Sequence, residues 1–306
     1  MTAISIIIPA YNVEEFIKQS LDSILNQTFK DFEVLCVEDC STDNTFEILK
    51  EYEKKDNRIK VIKHETNKGV ATARNTALDI AKGEYIVCVD PDDWIENDAL
   101  ECIYNAFQSN INADSVWYNA INFNEIEKTK FMLINENDLN LKSDGYYKVT
   151  ADNICQFNDY IWNKAYKTSI INELNIRYPD GMIFEDAEFC VKYFTQRPDF
   201  YYISKPLYNH RFRKGSIVTE GVKGYGHLED LFNVYMNIFN FIKEKGFFHE
   251  YREALLIMLA VRVYMIKLPN QREVVVNKMQ EILQKIDFPN AYMDLDNGKP
   301  EILFYK

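Results

Sequence analysis

The stretch Tyr85-Ile86-Val87-Cys88-Val89-Asp90-Pro91-Asp92-Asp93-Trp94 decides the fold. Residues 85–89 are apolar or β-favouring with no polar alternation, which reads as a strand buried on both faces. Pro91 cannot continue a central strand, so the strand is expected to stop at Asp90. The chain then presents three carboxylates within four positions, Asp90, Asp92 and Asp93. Open α/β sheets place their ligands at the carboxyl ends of strands, and these acids sit at such an end. Crowded carboxylates repel one another unless a cation lies among them. A hard divalent ion, Mg²⁺ or Mn²⁺, shared with phosphate oxygens answers that need, and makes Asp90, Asp92 and Asp93 candidate metal ligands. The plainer reading is an acidic turn whose Asp pair caps the next helix.

Working outward, strand and helix alternate from residue 4 to residue 89. Residues 4–8 form a short apolar strand ended by Pro9, and Phe16, Ile17, Leu21, Ile24 and Leu25 recur at helical spacing. Residues 32–37 are a second apolar strand, followed by Glu38-Asp39-Cys40-Ser41-Thr42-Asp43, where Ser41 or Thr42 is the expected N-cap of a helix bearing Phe46, Leu49 and Tyr52. A third strand at 59–62 leads through Asn67-Lys68-Gly69 to an alanine-rich helix, with Gly83 expected as its C′ residue. This alternation indicates βαβ units and a parallel sheet, an α/β fold. The loops Tyr11-Asn12, Glu38-Asp39 and Asp90–Asp93 then share one edge, where a nucleotide would bind.

Beyond Asp98 a helix carries Leu100, Ile103, Tyr104 and Phe107, and residues 110–150 are less regular, with apolar positions at 116–118 and 131–134 that suit strands of a mixed extension. A short helix ends near Asn175. Another is opened by Ile183-Phe184-Glu185-Asp186 and runs to Arg197-Pro198. Residues 201–203 and 207–212 read as strand segments. Past residue 222 the pattern is helical (228–245, 251–268, 272–286), so a boundary is placed near 221–226, between an α/β domain at 1–222 and a helical C-terminal region at 223–306.

Composition narrows the function classes. The chain has 306 residues, 47% hydrophobic and 14% aromatic, enough for a sizeable core. A net charge of −12 and a pI near 5.0 argue against a non-specific nucleic-acid binder, which needs a basic footprint. Cys36, Cys40, Cys88, Cys102, Cys155 and Cys190 form no CxxC pair and read as buried thiols in a reducing compartment rather than disulfides or a zinc site. The N-terminus lacks the basic n-region of a signal peptide. The apolar stretch 254–268 is broken by Arg262 and Lys267 and falls short of the roughly 20 residues that span a bilayer. The expected location is cytoplasmic, with peripheral contact at the inner face of a membrane as the most that lipid could contribute. Residues 254–261 are apolar around most of a helix, so they are expected to be buried within the protein or in a homodimer.

Five motifs, in order, resemble a known family. They are Ile6-Ile7-Ile8-Pro9-Ala10-Tyr11-Asn12, Gln27-Thr28-Phe29-Lys30-Asp31-Phe32-Glu33-Val34, Val37-Glu38-Asp39-Cys40-Ser41-Thr42-Asp43, Asn67-Lys68-Gly69-Val70-Ala71-Thr72-Ala73-Arg74-Asn75 and Val89-Asp90-Pro91-Asp92-Asp93-Trp94. Together they resemble the family 2 inverting glycosyltransferases of the GT-A fold, of the bacterial surface-polysaccharide type. The match is strong over about residues 4–110 and looser over about 160–220.

The resemblance implies a Rossmann-like, mainly parallel sheet, with a nucleotide half near 1–110 and an acceptor half near 111–222. It implies direct displacement from a nucleoside-diphosphate sugar, usually a UDP-sugar, with Mg²⁺ or Mn²⁺, onto a hydroxyl of a glycan or lipid-linked saccharide. Carried over by position, Pro9, Ala10, Tyr11 and Asn12 would line the base and ribose pocket, and Asp39 would accept from the uracil imide N–H. Asn67 and Arg74 would lie beside the nucleotide, and Asp90, Asp92 and Asp93 would form the DxD region holding ribose and metal. Two departures touch base recognition: Glu38 stands where the family usually has Asp, and Cys40 where it often has Gly.

Within Phe184-Glu185-Asp186, an acid opening the helix would be the general base that takes the acceptor's proton. A helix N-terminus favours its ionised form. Asp186 is the first choice and Glu185 the second, against the plain reading of a capping acid. In Tyr208-Asn209-His210-Arg211-Phe212-Arg213-Lys214-Gly215-Ser216, cationic side chains beside a Gly-Ser loop can neutralise a departing diphosphate. His210, Arg211, Arg213 and Ser216 are therefore donor-site candidates, against an exposed basic hairpin tip. His64, His227 and His249 have no partner pattern and read as surface or packing residues. Trp117 reads as core, and Trp162 as core or a sugar-stacking face. The competing functions are a haloacid-dehalogenase-like phosphatase with Asp90 as nucleophile, which Asp93 fits poorly, and a nucleotide-sugar-binding subunit without catalysis.

Overall fold

The apolar runs assemble into one ten-stranded sheet in the order β3-β2-β1-β4-β9-β6-β10-β5, with β7 paired to β6 and β8 to β10. A computed structural model describes residues 2–133, 141, 143–157, 159–213, 225–265, 272–286, 291–294 and 301–304. The strands are β1 (Ile4–Ala10), β2 (Phe32–Glu38), β3 (Ile59–Lys63), β4 (Tyr85–Cys88), β5 (Trp94–Ile95), β6 (Ser115–Asn124), β7 (Thr129–Met132), β8 (Gly145–Lys148), β9 (Lys164–Lys167) and β10 (Asp199–Phe212). The first four are parallel, as the alternation predicts. The rest is mixed rather than mainly parallel: β9 enters antiparallel between β4 and β6, while β10 runs parallel to β6.

Period-two alternation splits the central strands between two cores. Ile6, Val34, Cys36 and Val87 face one core, with Ile17, Leu21 and Ile24 of α1 (Ile17–Leu25), Leu49 of α2 (Thr45–Lys55) and Leu100 and Ile103 of α4 (Ala99–Ser109). Ile7, Leu35, Val37, Ile86 and Cys88 face the other, with Ala73 and Ala77 of α3 (Val70–Leu78) and Phe189 and Tyr193 of α6 (Glu185–Phe194). Helices on both faces bury the strands twice, which is why their sequences show no polar positions. The order β2-β1-β4 puts a topological switch point at β1, so the loops after β1 and β4 flank one crevice.

Three local expectations change. Pro9 does not end β1, which continues to Ala10. Ile7 O accepts from Val89 N at 3.0 Å and Ala10 O from Asp39 N at 2.9 Å, so Pro9 faces the β4 side, where β4 has already ended. The missing donor therefore falls where the β1–β4 ladder stops, while the β1–β2 ladder continues to Ala10. Gly83 is not a C′ residue, because α3 ends at Leu78. A Cβ on Gly83 would lie 2.3 Å from Ser5 N and 2.6 Å from Ile4 C, so glycine is required by the close approach to β1. Neither Ser41 nor Thr42 caps α2; Asn44 holds that position and Asp43 Oδ1 accepts from Thr45 N at 3.0 Å.

After α5 (Thr168–Glu173) and α6, the C-terminal region contains α7 (Tyr225–Glu244), α8 (Phe248–Met265) and α9 (Arg272–Lys285). It is not wholly helical: β11 (Ala291–Asp294) and β12 (Glu301–Phe304) pair antiparallel. Leu231, Val234, Tyr235, Ile238, Leu255 and Leu259 join the same apolar core as Ile7 and Leu35. The apolar run of α8 is thus covered mainly from within the chain, with Ile257 and Val261 left exposed. Among the described residues no helix is long and apolar enough to cross a membrane. Of the expected boundary at 221–226, residues 221–224 lie outside the described residues, and 225–226 already belong to α7.

Candidate active site

The sheet's carboxyl edge brings the predicted nucleotide residues together. Pro9 and Ala10 end β1, and Tyr11 projects outward with 45% of its surface exposed. Asn12 adopts φ 50°, which turns its amide toward the next loop. Its Oδ1 accepts from Thr42 N at 2.8 Å, and its own N–H donates to Ser41 Oγ at 3.1 Å. Ser41 N donates to Glu38 Oε1 at 2.5 Å, so the longer Glu38 side chain is folded back into its own loop. Cys40 sits at φ 62°, a conformation that costs L residues and not glycine.

Asp39 is buried, and its carboxylate is held by three donors. Oδ1 accepts from His64 Nδ1–H at 2.7 Å and from Lys68 N–H at 2.9 Å, and Oδ2 accepts from Gly69 N–H at 2.7 Å. Gly69 takes φ 85° and ψ 162°, open essentially only to glycine, and so aims its N–H inward. Asn67 is exposed on the same loop, its Oδ1 accepting from Gly69 N at 3.1 Å. His64, expected at the surface or in packing, is instead a buried partner of Asp39. The available signal was topological: it follows β3 directly, on the edge where parallel strands deliver their ligand loops.

The three acids after β4 have different surroundings. Asp93 is buried; Oδ2 accepts from Tyr208 O–H and Oδ1 from Arg211 N–H, both at 2.7 Å. Tyr208 Oη in turn accepts from Asp90 N at 3.0 Å. Burial, then the nearby Asp92 and Asp90, push the Asp93 carboxyl well above the usual range. Asp93 therefore ties the acidic loop to β10, a placement unlike the metal role expected for it. Asp90 and Asp92 keep 26% and 19% of their side chains exposed. Among the described residues no three His, Cys, Asp or Glu side chains form a ready-made metal cage.

Arg74 joins the two halves of the site. Buried on α3, it donates from Nη2 to Asp90 Oδ1 at 3.0 Å, and from Nη1 to Glu185 Oε1 at 2.5 Å and Asp186 Oδ1 at 2.9 Å. The helix carrying these acids starts after Phe184, a left-handed residue at φ 67°. Glu185 is nearly buried, whereas Asp186 keeps 23% of its side chain exposed. Burial pushes the Asp186 carboxyl well above the usual range; Arg74 opposes this, while Glu185, Asp90 and Asp159 reinforce it. The helix terminus alone would favour a lower value, so burial, reinforced by the crowded acids, reverses that expectation.

The basic segment on β10 is tied to the acids. Arg211 donates from Nε to Asp92 O at 2.7 Å and from Nη2 to Gln19 Oε1 at 2.5 Å, and it pairs with Glu125. Its buried guanidinium supports the loop and is not presented to a donor. Arg213 Nε contacts Asp92 Oδ2 at 2.9 Å, over the ring of Phe16. His210 Nδ1 meets Asn122 Oδ1 at 2.8 Å, and the ring stacks on Trp162 at 5.0 Å. Burial lowers the His210 pKa, against Asp90 and Asp92, which favours the neutral ring. Trp162 is itself buried and also stacks on Tyr208 and Tyr160; Trp117 stacks on Phe200 in the core. Ser216 lies outside the described residues.

Comparisons with known proteins bear on the family and the fold. A sequence model described as "Glycosyl transferase family 2" matches residues 5–174. The chain is 35% identical over 227 residues to Glycosyltransferase GlyA of Streptococcus pneumoniae, covering 70% of this chain and 31% of GlyA, so it spans about a third of that relative. It is 32% identical over 259 residues to the putative glycosyltransferase EpsH of Bacillus subtilis, covering 83% of this chain and 73% of EpsH. Its fold matches the crystal structure of S. aureus TarS 1-349 in complex with UDP-GlcNAc, with TM-score 0.75 and 23% identity over 99% of this chain and 97% of that one.

Proposed function

Because the chain belongs to glycosyl transferase family 2 and is a glycosyltransferase of the GT-A fold, we propose that it moves a sugar from a UDP-sugar to a hydroxyl of a glycan or lipid-linked saccharide, with inversion. The observation that carries this reading is Arg74, whose one guanidinium reaches both Asp90 at the nucleotide edge and Asp186 on the opposing helix. Two acids from different halves of the fold, held across one crevice, suit a displacement in which leaving group and base lie on opposite sides of the anomeric carbon. The family assignment leaves no place for the phosphatase alternative.

Pro9, Ala10, Tyr11 and Asn12 would line the base and ribose, with Asn67 at the rim and Asp39 accepting from the base. Asp90 and Asp92 have a donor set that fits Mg²⁺ or Mn²⁺: partly exposed carboxylates, with diphosphate oxygens to complete the shell. When bound, the ion neutralises the diphosphate and makes it a better leaving group. Asp186 accepts the acceptor's hydroxyl proton as that oxygen bonds to the anomeric carbon and the bond to the diphosphate breaks. Its raised pKa makes it a stronger base than an ordinary carboxylate. Glu185, nearly buried against Arg74, is the second choice. His210 and Arg213 flank Asp92 and lie where a departing diphosphate would meet positive charge or a hydrogen-bond donor.

The test is a panel of UDP-sugars with saccharide acceptors, reading UDP release and the product anomer by NMR. Acceptor-dependent UDP release with an inverted anomer is expected. Retention of configuration would sink the displacement, and binding of UDP-sugars without turnover under any acceptor would favour a non-catalytic subunit.

A further inference from the structure

Asp39 presents a restricted set of acceptor sites. A carboxylate oxygen has two lone-pair positions. On Oδ1 both are taken, by His64 Nδ1–H at 2.7 Å and Lys68 N–H at 2.9 Å. On Oδ2 one is taken, by Gly69 N–H at 2.7 Å. The remaining position on Oδ2 is an acceptor of fixed direction on a buried side chain. The two main-chain donors come from a loop, but His64 is held independently of it. Its backbone N–H donates to Glu38 O at 2.9 Å, and its ring Nε2 meets Thr76 Oγ1 on α3 at 3.0 Å. The imidazole, itself buried, therefore holds the carboxylate's rotation from a second element, outside the Lys68–Gly69 loop.

We propose that His64 is a positioning residue for nucleotide recognition, which aims the remaining acceptor site of Asp39 at a ring N–H of the base and so selects uracil over cytosine. A fixed acceptor pairs with the imide N–H of uracil. It meets a lone pair on the corresponding nitrogen of cytosine and repels it, and a site built for a hydrogen bond rejects a ligand lacking it strongly. Without the imidazole the carboxylate keeps only the two main-chain donors of the Lys68–Gly69 loop, so its direction is held less firmly and it can turn toward an exocyclic amine as well as the uracil imide. The inference rests on the reading that Asp39 contacts the base.

The experiment measures UDP and CDP affinity by calorimetry, and donor KM and kcat, for the wild-type chain and for His64→Asn, His64→Gln and His64→Leu. Asparagine places a donor where Nδ1 stands; glutamine places one where Nε2 stands, away from Asp39. His64→Gln and His64→Leu are expected to weaken UDP about tenfold or more, to narrow the UDP-to-CDP ratio, and to raise KM more than they lower kcat. His64→Asn should stay within about threefold of wild type, since it keeps a donor to Asp39. Equal weakening of UDP and CDP by all three variants would mean a structural role and overturn the proposal, as would a folded His64→Leu that binds UDP like the wild type. Asp39→Asn separates the two failures. If it weakens UDP while His64→Leu does not, only the role of His64 falls; if it leaves UDP affinity unchanged, the base contact falls and this inference with it. Should the leucine and glutamine variants not fold, ¹⁵N-histidine spectra of the wild type decide. UDP should shift the His64 Nδ1 resonance more than CDP does, and equal responses would overturn the proposal.

Discussion

Asp92 and Asp93 are adjacent, yet substitution should affect different properties. Asp93→Ala removes the acceptor for two buried donors, Tyr208 O–H and Arg211 N–H. An unsatisfied buried polar group costs about 1–3 kcal/mol, so a clear drop in melting temperature is expected. Asp92→Asn leaves the fold's buried bonds in place and should reduce turnover by orders of magnitude, with loss of Mn²⁺-dependent UDP binding and little change in the melt. A normal melt for Asp93→Ala, or full activity of Asp92→Asn in excess chelator, would reverse these assignments. At Asp186, Asp186→Asn should lower transfer by about 10²–10⁴-fold with UDP affinity retained. The base acts deprotonated and its folded-state pKa is raised, so activity should fall on the acid side above the usual Asp value of about 3.9. A rate profile that stays flat down to ordinary carboxylate pH would remove Asp186 from this role. The sequence singled out Asp39, Asp90, Asp92 and Asp186 because each follows a recognisable element, and the fold places Asp90 and Asp186 on one guanidinium. The sequence hid His64 and misplaced Asp93, since their roles depend on partners 25 and 115 residues away.

At the scale of elements, β1, β2 and β4 were legible because burial on both faces leaves an unmistakable apolar run. β5 and β9 were not: the first is two residues long, and β9 (Lys-Ala-Tyr-Lys) is polar at both ends. β10 was read as two pieces because Pro206 interrupts it, yet the strand continues through register shifts on either side of that residue. A bulge absorbs the proline that a regular ladder would reject. The connection between α3 and β4 gives the sharpest test at this scale. Gly83 N donates to Ser5 Oγ at 2.8 Å, and a methyl group there would meet the β1 main chain. Gly83→Ala should cost about 1–3 kcal/mol through overpacking against backbone that cannot rotate away. Urea unfolding measures it; an unchanged midpoint would mean that the loop shifts freely and that glycine is not required.

Across the whole molecule, composition and helical periodicity separated the C-terminal helices from the sheet, but the separation does not extend to the core. Helical spacing reveals an apolar face and not what covers it, and here α7 and α8 cover the same core as α6 and the central strands. An ion pair crosses this junction: Arg262 of α8 pairs with Asp159, which is nearly buried, in the segment before β9. Removing one partner of a buried pair strands the other charge, typically at about 3–5 kcal/mol. Arg262→Met should therefore lower the urea midpoint of a single cooperative transition followed by both near-ultraviolet and helical signals. Asp159→Asn in the same chain should recover much of the loss, because no stranded charge remains. The pair also reaches the site, since Asp159 is among the acids that raise the Asp186 carboxyl. With Arg262 gone, Asp159 is less neutralised and pushes Asp186 further upward, so the acid limb of the transfer rate should move to higher pH in Arg262→Met and return in the double variant. Two separate unfolding transitions would instead establish the C-terminal region as an independent unit, and an unshifted pH limb would confine the ion pair to stability alone.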